Sequence, residues 1–160
     1  MKEKILEKLK ARFSDTIESV NEFREELTVV VYKRSIRNVC QFLRDDADLR
    51  FDSLRDICGT DYYRPDERFE VVYNLYSLPN NFRLRLKVRV DESDLHVDSL
   101  ISVWSAANWM EREAYDMYGI IFDGHPDLRR MYMPEEFEYY PLRKDFPLMG
   151  IPGSLPLPRK

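Results

Sequence analysis

Residues 82–90 restrict the fold of this sequence more than any other stretch. Phe82, Leu84, Leu86, Val88 and Val90 alternate there with Arg83, Arg85, Lys87 and Arg89. A period of two belongs to an extended strand, whose successive side chains point to opposite faces of a sheet. One face of this strand must therefore be buried, and the other is basic. Residues 69–76 read as a second strand. The connection Ser77-Leu78-Pro79-Asn80-Asn81 supplies turn residues, so the two strands form a hairpin.

A sheet with one apolar face needs other elements to cover it. Ile5, Leu6, Leu9 and Phe13 fall at helical spacing among lysines and glutamates, which predicts an amphipathic helix over 2–13. Ser35 is placed to cap a second helix, with Ile36, Val39, Cys40 and Leu43 facing inward and the charged cluster 44–50 ending it. Val103, Ala106, Ala107, Met110, Ala114 and Met117 share one side of a third helix, spanning roughly 99–118, which Gly119 stops. Residues 27–32 are short, apolar and β-branched, hence a buried strand. Residues 53–62 form a further strand, and 91–94 a polar turn. The expectation is an α+β domain over 1–122: a mixed, largely antiparallel sheet with packed helices.

From residue 123 the character changes. Seven of the nine prolines lie between Pro126 and Pro158, which excludes a long helix or a central strand. Yet Leu128, Met131, Tyr132, Phe137, Tyr139, Tyr140, Leu142, Phe146, Leu148 and Met149 make the segment apolar. Such a surface is costly to leave in water. Residues 123–160 are therefore expected to form an extended, proline- and aromatic-rich C-terminal arm that docks on partner proteins. The other solution is a segment wrapped back over its own domain. Interface contacts are expected at His125, Asp127, Arg129, Arg130, Arg143, Lys144 and Asp145, since arginines grip carboxylates through two parallel hydrogen bonds.

Several function classes are disfavoured. A net charge of -4 gives no general attraction to nucleic acid or anionic lipid. No apolar run approaches the roughly 20 residues that span a bilayer, and the charged stretch 1–10 is not a signal peptide. The two cysteines, Cys40 and Cys58, suit neither a disulfide framework nor a zinc site. An iron-sulfur cluster normally takes about four cysteines. No glycine pattern supports a phosphate-binding loop or a dinucleotide fold. Glu111, Glu113 and Asp116 could supply paired carboxylates for acid–base work. Arg112 stands at i,i+4 to Asp116, however, which favours an ion pair. His125 sits in a Gly-His-Pro turn, and with only His96 besides, a multi-histidine metal site is not expected. The basic stripe Arg83, Arg85, Lys87 and Arg89 reads as a solvated face or the seat of an acidic partner rather than of phosphates. No catalytic, cofactor-binding or metal-ligating residue is assigned.

The run Glu111-Arg112-Glu113, Asp116, Gly119-Ile120 and Gly124-His125-Pro126-Asp127-Leu128-Arg129-Arg130 resembles the signature of the thirty-kilodalton subunit of proton-translocating NADH:quinone oxidoreductase, complex I. Downstream, Pro141-Leu142-Arg143-Lys144-Asp145-Phe146 matches another element of that family. The likeness spans roughly residues 27–150. Met131-Tyr132 replaces a usual aliphatic pair, and a glycine often found before Pro141 is missing.

The resemblance implies a non-catalytic scaffold subunit of the hydrophilic arm. Such a subunit is peripheral, on the cytoplasmic face of the bacterial inner membrane or the matrix side in mitochondria. It packs against other arm subunits, especially the forty-nine-kilodalton subunit that helps form the quinone site. It holds no cofactor itself; FMN and iron-sulfur clusters belong to partner subunits. The assembly carries electrons from NADH to quinone and pumps protons. The alternative is the equivalent subunit of a membrane-bound hydrogenase or other-donor dehydrogenase complex.

Overall fold

The computed structural model describes residues 1–151. A five-stranded sheet runs in the order β1-β2-β5-β4-β3. Its strands are β1 Ile17–Phe23, β2 Glu26–Val31, β3 Ser53–Asp61, β4 Phe69–Ser77 and β5 Phe82–Val90. Every neighbouring pair is antiparallel except β2 with β5, which is parallel. The α+β class with a mixed, mostly antiparallel sheet is the one expected.

The alternation along β5 does what its period requires. Leu84, Leu86, Val88 and Val90 are buried, and the intervening cations are partly or fully exposed. On the same face lie Leu27, Val29 and Val31 of β2 and Phe69, Val71, Tyr73 and Leu75 of β4. Helices α1 (Lys2–Phe13) and α2 (Ile36–Asp45) join this cluster with Ile5 and Leu9, and with Ile36, Val39, Cys40 and Leu43. Phe13 and Phe42 meet edge to face at 5.5 Å and fasten the two helices together.

Four local features differ from expectation. β1 carries no apolar alternation and is exposed over its last five residues. It pairs with β2 through a two-residue turn at Arg24 and Glu25, whose φ angles are 48° and 69°. Such a turn normally takes asparagine or glycine, so its sequence gives no warning. Ser35 closes a short 3-10 turn and makes no capping hydrogen bond. The third helix, α3, covers Ala107–Tyr118, beginning well after residue 99. Residues 100–106 form separate turns instead, because the Glu111 carboxylate takes the Leu100 N–H and Trp104 donates its indole N–H to the Phe51 carbonyl. A small parallel pair, β6 His96–Asp98 with β7 Ile121–Asp123, flanks α3.

Helix α3 crosses the edge strand β3 closely. A Cβ on Gly59 would stand 2.5 Å from the Tyr118 ring, so only glycine permits this approach. Gly119 then ends the helix with φ 79°, and its N–H bonds the Tyr115 carbonyl. That crossing brings the end of α3 beside Tyr140 and Arg143.

Candidate functional site

The three carboxylates of α3 serve three different surroundings. Glu113 is exposed. Glu111 is fully buried and accepts hydrogen bonds from Ser99 Oγ and the Leu100 N–H, both at 2.6 Å. Desolvation dominates these bonds and pushes its carboxyl up to about 7. Asp116, also fully buried, turns the other way, toward residues 130–133. The three groups do not converge on a common point where a substrate could lie between an acid and a base.

Asp116 does not pair with Arg112. Its Oδ1 takes Arg130 Nη1 at 2.8 Å, and its Oδ2 takes the backbone N–H groups of Met131, Tyr132 and Met133 at 2.9, 2.7 and 3.0 Å. Burial raises this carboxyl, but the hydrogen bonds outweigh it and hold it below its ordinary value. Arg112 instead donates to the carbonyls of Arg129 and Arg130 and lies 4.9 Å from the Trp109 ring centre. The expected i,i+4 ion pair gives way because tertiary partners satisfy both groups better than a helix surface could.

A second clamp lies further along. Asp61, at the end of β3, receives Arg68 in a two-pronged pair at 3.0 and 2.8 Å, with both side chains buried. Arg68 also reaches Glu92 at 2.9 Å and Asp145 at 3.0 Å. The Asp61 carboxylate accepts the Lys144 N–H at 2.8 Å, and its pKa falls to about 2 because these hydrogen bonds overcome desolvation. Arg143 donates to the Tyr118 carbonyl at 2.7 Å and stacks on Tyr140 and Phe69.

The residues expected at an interface thus divide. Arg130, Arg143 and Asp145, with the backbone of Lys144, are held by the chain's own body. Asp127 and Arg129 are exposed and paired with each other at 2.8 Å. His125 bridges locally: Nε2 donates to the Asn108 carbonyl, and Nδ1 accepts the Asp127 N–H. The Lys144 side chain is exposed.

Sequence reasoning missed Asp61, Arg68 and Glu92. Asp61 and Arg68 lie seven residues apart on either side of an irregular loop and Glu92 24 residues beyond Arg68, with no shared periodicity, so no local signal marks them. The part of the expected arm beyond residue 151 lies outside the described residues.

The segment therefore holds on with its polar groups and turns apolar groups outward. Tyr132, Tyr139, Leu142, Leu148 and Met149 are exposed, the last two almost completely, and Trp109 on α3 is exposed as well. Phe137 is buried against Tyr139 and Phe146, with ring centres 5.6 and 6.3 Å away.

On the sheet, the basic stripe is largely neutralised within the chain. Lys87 pairs with Glu70, Arg89 with Glu18 and Glu67, and Arg85 with Glu26. Among the described residues, no helix is long and apolar enough to cross a membrane.

Residues 29–152 match the family described as respiratory-chain NADH dehydrogenase, 30 Kd subunit. The chain is 50% identical over 143 residues to the C-type subunit of the NADH-quinone oxidoreductase of Geotalea uraniireducens (strain Rf4), covering 89% of this chain and 86% of that one. It is 51% identical over 144 residues to the corresponding NADH-quinone oxidoreductase subunit of Roseiflexus sp. (strain RS-1), covering 90% and 83%. Among solved structures it is similar to the trypsin-resistant fragment of Nqo5, with a TM-score of 0.66 and 34% identity over 79% of this chain and 98% of that one. A chain of the membrane-bound sulfane sulfur reductase, an archaeal respiratory membrane complex, shares the fold at a TM-score of 0.75 and 22% identity, over 92% and 86%.

Proposed function

Because the chain belongs to the family of thirty-kilodalton subunits of respiratory-chain NADH dehydrogenase, we propose that it is a non-catalytic scaffold in the hydrophilic arm of a proton-translocating NADH:quinone oxidoreductase. In this reading FMN and the iron-sulfur clusters sit in companion subunits. The chain holds the forty-nine-kilodalton, quinone-site subunit in place. It is peripheral, on the cytoplasmic face of the bacterial inner membrane or the matrix side of a mitochondrion. Relatives near 50% identity named for NADH and quinone favour this assembly over a hydrogenase or other-donor complex.

The observation that carries the scaffold role is the polarity of residues 127–151. Buried charges fix the segment to the body, yet Leu142, Leu148 and Met149 face outward. Covering a leucine or methionine contributes about 1.5–3 kcal/mol each, so these side chains are suited to a partner surface. Replacing Leu148 and Met149 together by serine tests this. The purified variant should keep its helical and sheet signals, while native gels of membranes should show loss of the assembled complex. Normal assembly with that variant would refute docking through this segment.

A further inference from the structure

The stripe of β5 is paired at one end and open at the other. Lys87 and Arg89 are neutralised, and Arg85 is held by Glu26 at 2.9 Å and Asn74 at 3.3 Å. Arg83 is exposed and has no ion pair among the described residues. Opposite it, β3 carries a bulge: Leu54 pairs with Leu75 and Asp56 with Asn74, leaving Arg55 as the extra residue. A bulge re-aims a side chain out of the regular pleat. Arg55 is exposed, has no ion pair among the described residues, and lies 5.7 Å from the centre of the Tyr76 ring.

Between these arginines lies a cleft of about 310 Å³, whose lining includes Glu26, Arg55, Asp56, Asn74, Arg83 and Arg85. Its charge does not balance internally. Glu26 is committed to Arg85, and Asp56 lies against the Cys58 thiol. Three guanidinium groups face two carboxylates, so the cleft keeps a net positive charge, and neither Arg55 nor Arg83 forms an ion pair among the described residues. Phe23, exposed at 68%, pairs with Glu26 across the β1–β2 turn and carries the Arg24 guanidinium 5.2 Å from its ring centre. Arginine next to an exposed aromatic ring is the composition of a binding hot spot.

We propose that this cleft receives an acidic segment of a partner polypeptide, one of whose carboxylates is gripped between Arg55 and Arg83. The partner is a protein rather than a nucleic acid. Phosphate-backbone binding needs several free cations in a row, and the rest of the stripe is already neutralised. The site is separate from the C-terminal clamp. The cleft lies where β4 ends and β5 begins, whereas Asp61, Phe69 and Glu92 mark the opposite end of the same hairpin. A subunit with both surfaces can bridge two neighbours.

The test uses the full chain, isotopically labelled, at low salt. A short polyglutamate peptide, a polyglutamine peptide of equal length and an oligothymidylate are titrated in turn. Polyglutamate should shift the guanidinium N–H signals of Arg55, Arg83 and Arg85, and the affinity should fall as salt rises. Arg83→Gln should weaken binding roughly fivefold, and Arg55→Gln with it by a similar further factor. Lys10→Gln, on α1, should change nothing. Shifts spread evenly over all surface cations, equal response to polyglutamine, tighter binding of oligothymidylate, or unaltered binding by the double variant would each overturn the assignment. Because Leu148 and Met149 are untouched, this outcome is independent of the docking segment.

Discussion

Replacing Asp116 by asparagine changes almost no volume but disarms the first clamp. Four donors converge on this buried carboxylate: Arg130 on one oxygen and the N–H groups of residues 131–133 on the other. An asparagine has one oxygen for them. Its amide N–H₂ must face either the Arg130 guanidinium or three backbone donors, and both arrangements set donor against donor. A hydrogen bond to a charged group contributes about 1.5–3 kcal/mol, and removing one partner of a buried pair costs about 3–5 kcal/mol. Arg130, with a side chain only 8% exposed, would be left buried without its counter-charge. The loss is about 3–5 kcal/mol and should act locally first, because residues 131–133 can leave the surface without opening the sheet. Hydrogen exchange read residue by residue is the assay. The amides of 131–133 should exchange roughly a hundredfold to a few thousandfold faster in Asp116→Asn, with those of β4 and β5 less affected. Unchanged exchange at 131–133 would refute the reasoning. Acid should mimic the mutation. The Asp116 carboxyl is held below its ordinary value when folded. Its contribution is complete above the unfolded pKa, near about 3.9, and disappears as pH falls through the folded one.

Glu111 has the opposite sign. Its folded pKa is raised to about 7, so stability is greatest below the unfolded pKa and falls as pH climbs toward the folded one. Glu111→Gln keeps an oxygen for the Leu100 N–H and offers its amide to Ser99 Oγ. It should stabilise the chain by up to about 3 kcal/mol at about pH 8 and by little near about pH 4. Urea unfolding at both pH values checks this, and destabilisation at the higher one would contradict it. At the β1–β2 turn, Arg24→Asn with Glu25→Gly relieves two left-handed residues. It should raise stability by about 1–2 kcal/mol, seen as a higher melting temperature, and no rise would count against strain at that turn.

The parts of the fold that local chemistry dictates were legible in the sequence. The β4–β5 hairpin declares itself because every second residue of β5 must be buried, and α1 and α2 because their apolar residues share a face. β1 was hidden for the converse reason: it is an edge strand exposed over most of its length, so nothing selects an alternating pattern. Leu100, Val103 and Trp104 carry helical spacing into Ala107, yet the Glu111 carboxylate and the Phe51 carbonyl hold residues 100–106 as turns. At the candidate site, the segment 125–146 was recognisable from its residues, but its orientation was not. Arg130, Arg143 and Asp145 looked like hands extended to a partner. They are the fastenings to the body, because Asp116, Asp61 and Arg68 are buried charges that only this segment and its surroundings can satisfy.

That arrangement has a consequence for how the protein is made. Asp116 and Arg68 are specified early in the chain relative to the residues that complete their shells, which are 130–133 and 144–145. A polypeptide emerging from the ribosome can build its sheet and helices and pair Arg68 with Asp61, but Asp116 waits for residues 130–133 and Arg68 for Asp145 before their shells close. The ionic shells of Asp116 and Arg68 are therefore completed late in biosynthesis. A chain interrupted between residues 126 and 145 would keep its sheet and helices but leave part of the Asp116 or Arg68 shell open to water.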